Sequence, residues 1–247
     1  MTAVSALWRH PIKAHGREPL ERVALKAGHC MPWDRHWAVT HDATKADGSA
    51  WAACINFSRG ASAPRLMAMT ACLDEAAQRI TLSHPDLPDL TFSPDTEAAA
   101  FVAWVRPIMP PERRQSTGIL SVPGTGLTDS KYPSLSIINS ATNAALGAVL
   151  GQDLSMDRWR GNIHVTGLPA WQEFDWVGRQ LRIGGAEFEV QARIERCVAT
   201  EANPETGLRD AETLKALRDT WDHQDFGVKV IVTKDGEIAI GDTIEVL

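Results

Sequence analysis

A chain of 247 residues is long enough for one large domain or two modest ones around a proper core. Its formal charge of −6 gives no overall pull toward nucleic acid or an anionic membrane, so an anionic ligand has to be held by a local cluster of Arg and Lys. No stretch approaches the ~18 to 20 apolar residues of a membrane span, and MTAVSALWRHPIKAHG lacks the basic start and apolar run of a secretory leader.

Short alternating segments dominate and predict strands. The first clear ones are Trp37 to Thr40 and Arg79 to Ser83. Ser93 and Pro94 then suit the N-cap and first position of a helix, with Asp95 and Glu97 in its opening turn. The apolar stripe of that helix is Ala98, Phe101, Val102 and Val105, and Pro107 stops it. The polar, Pro- and Gly-rich segment 109–128 marks a boundary, dividing the chain into a β-rich region 1–108 and a second domain 109–247. A second helix is predicted from Ser140 to Leu150, ended by Gly151. Strands over Gln180 to Ile183 and Ala186 to Ile194 flank Gly184-Gly185, as a tight type I′ hairpin requires. A third helix from about Asp210 carries Leu214, Leu217 and Trp221 at helical spacing. The last strands, Gly227 to Thr233 and Glu237 to Ile240, flank the second hairpin signal, Asp235-Gly236. Strands in series with three helices predict a mainly β, mainly antiparallel fold of the β-barrel, α+β kind. The chain has no GxGxxG after a strand and no Walker-type GKS or GKT, which disfavours dinucleotide and P-loop nucleotide binding.

Four cysteines, Cys30, Cys54, Cys72 and Cys197, include no CxxC pair, which argues against a zinc ribbon, a disulfide framework or a thioredoxin-like site. A reducing, cytoplasmic setting fits them, with Cys30, Cys54 and Cys72 expected in the core. Cys197 differs because it ends a strand beside Arg193 and Arg196, an environment that favours a thiolate, the ligand soft metals select. Upstream, Arg158, Arg160 and Asn162 precede a strand with donors suited to phosphate. Near the N-terminus, Lys13 and Arg35 are further candidates to face an anion, while His15 and His36 lack any HxH or HExxH partner and are expected at the surface. The loop Leu127 to Pro133 offers hydroxyls and N–H groups for an anion nest.

These stretches carry a resemblance. HPIKAHG, WDRHWAVT, RWRGNIHVTGLPAW and RIERCVATEANPETG, with the ending FGVKVIVTKDGEIAIGDTIEVL, are similar, in order, to the motifs of MOSC (molybdenum cofactor sulfurase C-terminal) proteins with an N-terminal β-barrel region. The chain most resembles the branch of the mitochondrial amidoxime-reducing component and its bacterial relatives. The resemblance implies a molybdopterin cofactor with Cys197 as molybdenum ligand and catalytic residue, and with Lys13, Arg35, Ser130, Arg160, Asn162 and Arg196 around the pterin and its phosphate. It implies two-electron reduction of an N-hydroxylated small molecule. The chain has neither a flavin motif nor a cysteine set for an iron–sulfur cluster, so electrons would come from a separate flavoprotein, cytochrome or ferredoxin-type donor. Two positions depart from that branch. Ala14 stands where Ser is common after the motif Lys, and Ile194 where a second cysteine is common three residues before the ligand. A persulfide-carrying sulfur protein and a non-catalytic cofactor carrier are the other readings of the same resemblance.

Overall fold

A computed structural model describes all 247 residues. Eight strands form the larger sheet, in the spatial order Ile244–Val246, Gln180–Ile183, Ala186–Glu195, Asp225–Lys234, Leu135–Asn139, Ile163–Thr166, Ala3–Arg9 and Glu18–Leu20. Neighbours are antiparallel except Leu135–Asn139 and Ile163–Thr166, which run parallel. A parallel pair needs a crossover, and the helix Ser140–Leu150 lies within it. The sheet curls until its first strand in that order meets the start of Ala3–Arg9, the last but one: Val4 N–H donates to Asp242 O at 2.9 Å, and Ile244 N–H to Thr2 O at 3.0 Å. Its concave face buries alternate residues of each strand, including Leu181, Ile183, Phe188, Val190, Val228 and Val230.

A second body surrounds Trp37–His41, which pairs in parallel with Ile12–Lys13 and antiparallel with Ser116–Ser121. The meander Thr70–Asp74, Arg79–His84 and Leu87–Phe92 and the helix Ala98–Val105 pack on the same core. Phe92 stacks on Phe101 with centroids 5.5 Å apart. Trp37, with no exposed surface, donates its indole N–H to Asp95 at 2.9 Å. The chain weaves between the two bodies, since Ala3–Arg9 and Glu18–Leu20 belong to the large sheet while Ile12–Lys13 belongs to the small one. No helix is long and apolar enough to cross a membrane.

The strands at 37, 79, 180, 186 and 227 and the helix Ser140–Leu150 stand where their patterns predict. Asn139 caps that helix, its side chain accepting from Ala141 N–H at 3.0 Å, and Gly151 ends it at φ +68°. Four local expectations are corrected. Ser93 does not cap the first helix: its carbonyl closes a turn with Thr96 and Glu97, its N–H donates to the Glu97 carboxylate, and the helix begins at Ala98. The third helix begins at Thr213, because Asp210 is bonded through its N–H to Glu201 O. Only Gly184 of the Gly-Gly pair has positive φ, which suits a type II′ turn and not the expected I′. Asp235-Gly236 does not join neighbouring strands, for Gly236–Ala239 pairs with Arg22–Leu25.

Gly227 is the glycine that the fold depends on beside the site. It sits within a strand at φ +75°, and an added Cβ would lie 2.6 Å from Ile137 O. Gly227→Ala is expected to lower stability by at least about 1–2 kcal/mol from the left-handed backbone alone. A urea unfolding series would check this, and an unchanged midpoint would mean that the strand can shift away from Ile137.

Candidate functional site

The sequence-predicted cations gather where the two bodies meet. Lys13, 5% exposed, donates to Leu127 O at 2.8 Å and pairs with Asp129. Arg35 sits in the left-handed region at φ +51° because Met31–Asp34 form a turn before the strand at Trp37. Its guanidinium pairs with Asp34, donates to Arg160 O at 2.9 Å, and lies 3.4 Å from Asn162 Oδ1. Arg160, also left-handed at φ +50°, donates to Gly16 O at 3.0 Å, while its Nη1 is buried with no protein acceptor. Arg196 donates to Phe226 O at 2.9 and 2.7 Å and to Trp159 O at 2.8 Å. Its guanidinium carbon is 5.6 Å from the Trp159 ring centroid, and that ring stacks on Phe226 at 3.7 Å.

Asn162 is committed to the protein. Its side-chain carbonyl accepts from Ser136 N–H at 3.1 Å and Ser136 Oγ at 3.0 Å, and its amide donates to Trp8 O at 3.2 Å. Its role within the cluster is to brace Arg35 between the two bodies. Ser130 is 7% exposed and accepts through its carbonyl from Thr128 Oγ1 at 3.0 Å. Lys13, Arg17, Arg35, Arg160 and Arg196 carry five positive charges, against four carboxylates, Asp34, Asp129, Asp157 and Asp225. The excess has consequences. Burial first, then the charges of Arg35 and Arg17, pull Arg160 down to about 9. Burial lowers Arg196 to about 10, with Cys197 and Asp129 acting the other way and Arg35 adding to the fall. Burial would raise Asp34, yet Arg35 and the His10 contacts hold its carboxyl well below the usual carboxylate range.

Cys197 is exposed and stands between the strand Ala186–Glu195 and the turn Val198–Glu201. Its carbonyl accepts from Thr200 N–H and Oγ1, each at 3.1 Å. Two further arginines clamp the segment after this cysteine. Arg158, 2% exposed, donates to Thr200 O at 2.9 Å and pairs with Asp210 at 3.2 Å, while its Nε is buried with no protein acceptor. Arg17 donates to Pro204 O at 2.9 Å and pairs with Asp157 at 3.2 Å. Arg17 was within reach of sequence reasoning because it directly follows the HPIKAHG motif, but its partner lies 187 positions away.

Several expectations on single residues are corrected. His15 is fully buried, its Nδ1 2.7 Å from Lys13 O and its ring edge-on to Phe101, while His36 is half-buried. Cys30 and Cys54 are half-buried and Cys72 is exposed on Thr70–Asp74, whose solvent face it occupies. Unexpected residues in the cluster are His10 and Asp34: the His10 N–H donates to Asp34 Oδ1 at 2.8 Å.

Buried histidines make the fold acid-sensitive. Burial lowers His15 to about 4, opposed by the Lys13 carbonyl and aided by Arg160, and burial lowers His164 likewise to about 4. A base held below its unfolded value contributes stability that is complete above pH 6.5 and lost as pH falls toward 4, since the unfolded chain takes the proton first. With His10, which burial also lowers well below its ordinary value, three such groups give a slope of up to about 4 kcal/mol per pH unit in that window. Urea midpoints at several pH values check this. A slope that His164→Gln leaves unaltered would remove His164 from the explanation.

Residues 1–104 match the model of the MOSC N-terminal beta barrel domain, and residues 129–245 match that of the MOSC domain. The chain is a MOSC-domain protein. Mitochondrial amidoxime reducing component 2 of Bos taurus is 31% identical over 129 residues, covering 46% of this chain and 38% of that protein. Mitochondrial amidoxime-reducing component 1 of Homo sapiens is 23% identical over an alignment of 295 positions, covering 99% of this chain and 82% of that protein. Molybdenum cofactor sulfurase of Anopheles gambiae is 33% identical over 96 residues, 37% of this chain and 12% of that protein. The match to the first of these relatives thus spans well under half its length. In this MOSC chain the resembling motifs coincide with the Arg160 cluster and the Cys197 turn.

Proposed function

We propose that this MOSC protein holds a molybdenum cofactor and reduces N-hydroxylated small molecules with electrons from a separate protein donor. The observation that carries the reading is the buried, partnerless Nη1 of Arg160 within a cluster of five cations against four carboxylates. An anionic group satisfies both deficits: its oxygens accept the stranded N–H, and its charge offsets the mutual repulsion of Arg160, Arg196 and Arg35. The donor set fits as well. No three His, Cys, Asp or Glu side chains come together to hold a bare metal ion, whereas one exposed thiol suits a metal presented by an organic ligand.

In this reading Lys13, Arg35, Arg160 and Arg196 hold the anionic end of the cofactor, with Ser130 beside them, and Asn162 keeps Arg35 aimed. The Cys197 thiolate ligates the metal, and Arg158 holds the Thr200 turn on which that thiol depends. When bound, the group supplies two-electron oxygen-atom chemistry. The N-hydroxyl group takes up two electrons and two protons, its N–O bond breaks, and the oxygen leaves as water. The absence of a cysteine at 194 makes this a one-thiol site. Four cysteines outside any disulfide suit a reducing, cytoplasmic compartment. Protein made in a molybdopterin-competent host is expected to turn over an amidoxime saturably with an artificial reductant. Full molybdenum loading without turnover would replace reductase by cofactor carrier.

A further inference from the structure

Away from the Arg160 cluster, a cavity of about 220 Å³ opens in the smaller body between the Arg59–Ala63 turn and the segment 109–114. Three of its lining side chains are arginines: Arg59, Arg113 and Arg114. None of them pairs with a carboxylate. Their contacts inside the protein are weak. Arg59 Nη1 reaches only the Cys54 thiol, at 3.5 Å. Arg114 Nη1 lies 3.5 Å from His41 Nε2, but that nitrogen is 3.0 Å from Ile55 O and His41 Nδ1 accepts from Ala43 N–H at 3.2 Å. His41 is therefore the tautomer with its proton on Nε2 and offers Arg114 no acceptor. The opposite wall is apolar: Phe57, Ala63 and Met109 are at most 7% exposed.

We infer that this cavity is a binding site for a small organic anion, a carboxylate or phosphate head on an apolar body. Three guanidinium groups line one opening with no carboxylate partner, so an anion there can accept charge-assisted hydrogen bonds from them. Ser62 adds a hydroxyl at the rim, and Phe57 with Met109 gives the apolar body a surface to cover. The volume of about 220 Å³ suits the head group and a single ring or short chain of such a ligand. The Arg59 turn also backs onto the Cys197 loop: a Cβ built on Gly60 would lie 3.4 Å from Ala199, and Arg209 donates to Ala61 O at 3.0 Å.

The test is isothermal titration of the full chain with phenyl phosphate and with benzoate, and benzamide as the uncharged analogue of benzoate. At least one anion is expected to bind saturably, one to one, while benzamide does not. Arg113→Ala/Arg114→Ala weakens that binding by about tenfold or more, and Arg59→Gln weakens it independently. Both changed arginines of the double variant are exposed, so its fold is retained. Absence of saturable binding by either anion at millimolar concentration overturns the proposal. Binding that the double substitution leaves unchanged also overturns it, because the anion would then sit at the Arg160 cluster instead.

Discussion

Asp34→Ala is expected to lower the unfolding free energy by about 3–5 kcal/mol, close to the whole stability of many domains. Asp34 has no exposed side-chain surface, pairs with Arg35, and accepts the His10 N–H at 2.8 Å. Its removal leaves Arg35 without its counter-charge while Arg160 and Arg196 stay close enough to feel its charge. Asp34→Asn keeps an acceptor for His10 and loses only the charge, so the difference between the two variants separates hydrogen bond from ion pair. Urea unfolding measures both. A loss under about 1 kcal/mol for Asp34→Ala would show that Arg35 swings out to water, and that the buried pair is not what orders the cluster.

Cys197→Ser is expected to abolish molybdenum retention and leave the fold intact. The thiol is exposed, and the turn is held through the Cys197 carbonyl, which serine also has. Stability should therefore stay within about 0.5 kcal/mol of the parent, while a hydroxyl is a far poorer ligand than a thiolate for a soft metal. Elemental analysis beside thermal unfolding reads both arms. Near-stoichiometric metal in the parent and none in the variant is the expected pair. Metal in neither protein would defeat the cofactor reading, and metal in both would transfer the ligand role to another group.

Much of the site was readable because its residues lie in compact motifs. Lys13, Arg35, Arg160, Asn162 and Arg196 fall within the stretches the sequence singled out, and they come together through Lys13 on Leu127 O and Arg35 on Arg160 O. What stayed hidden were the clamps: Arg17 on Pro204 and Arg158 on Thr200 show no sign of that duty until partners 187 and 42 positions away are in place. His15 misled for a related reason, since its short motif carries no sign that Phe101 closes over it.

Strand alternation, the Gly151 stop and the bend at Gly184 are set by backbone dihedral preferences and by neighbours within a turn, so the chain announces them. The motif residues announce their chemistry in the same way, through charge and donor type. Pairing partners, burial and charge balance depend on groups far apart along the chain. Gly236–Ala239 leaves its sequence neighbour for Arg22–Leu25, Cys72 turns outward, and Arg160 drops to about 9 only once the folded chain has buried it beside Arg35 and Arg17. Those are properties of desolvation and Coulomb contact, and they exist only after the two bodies close.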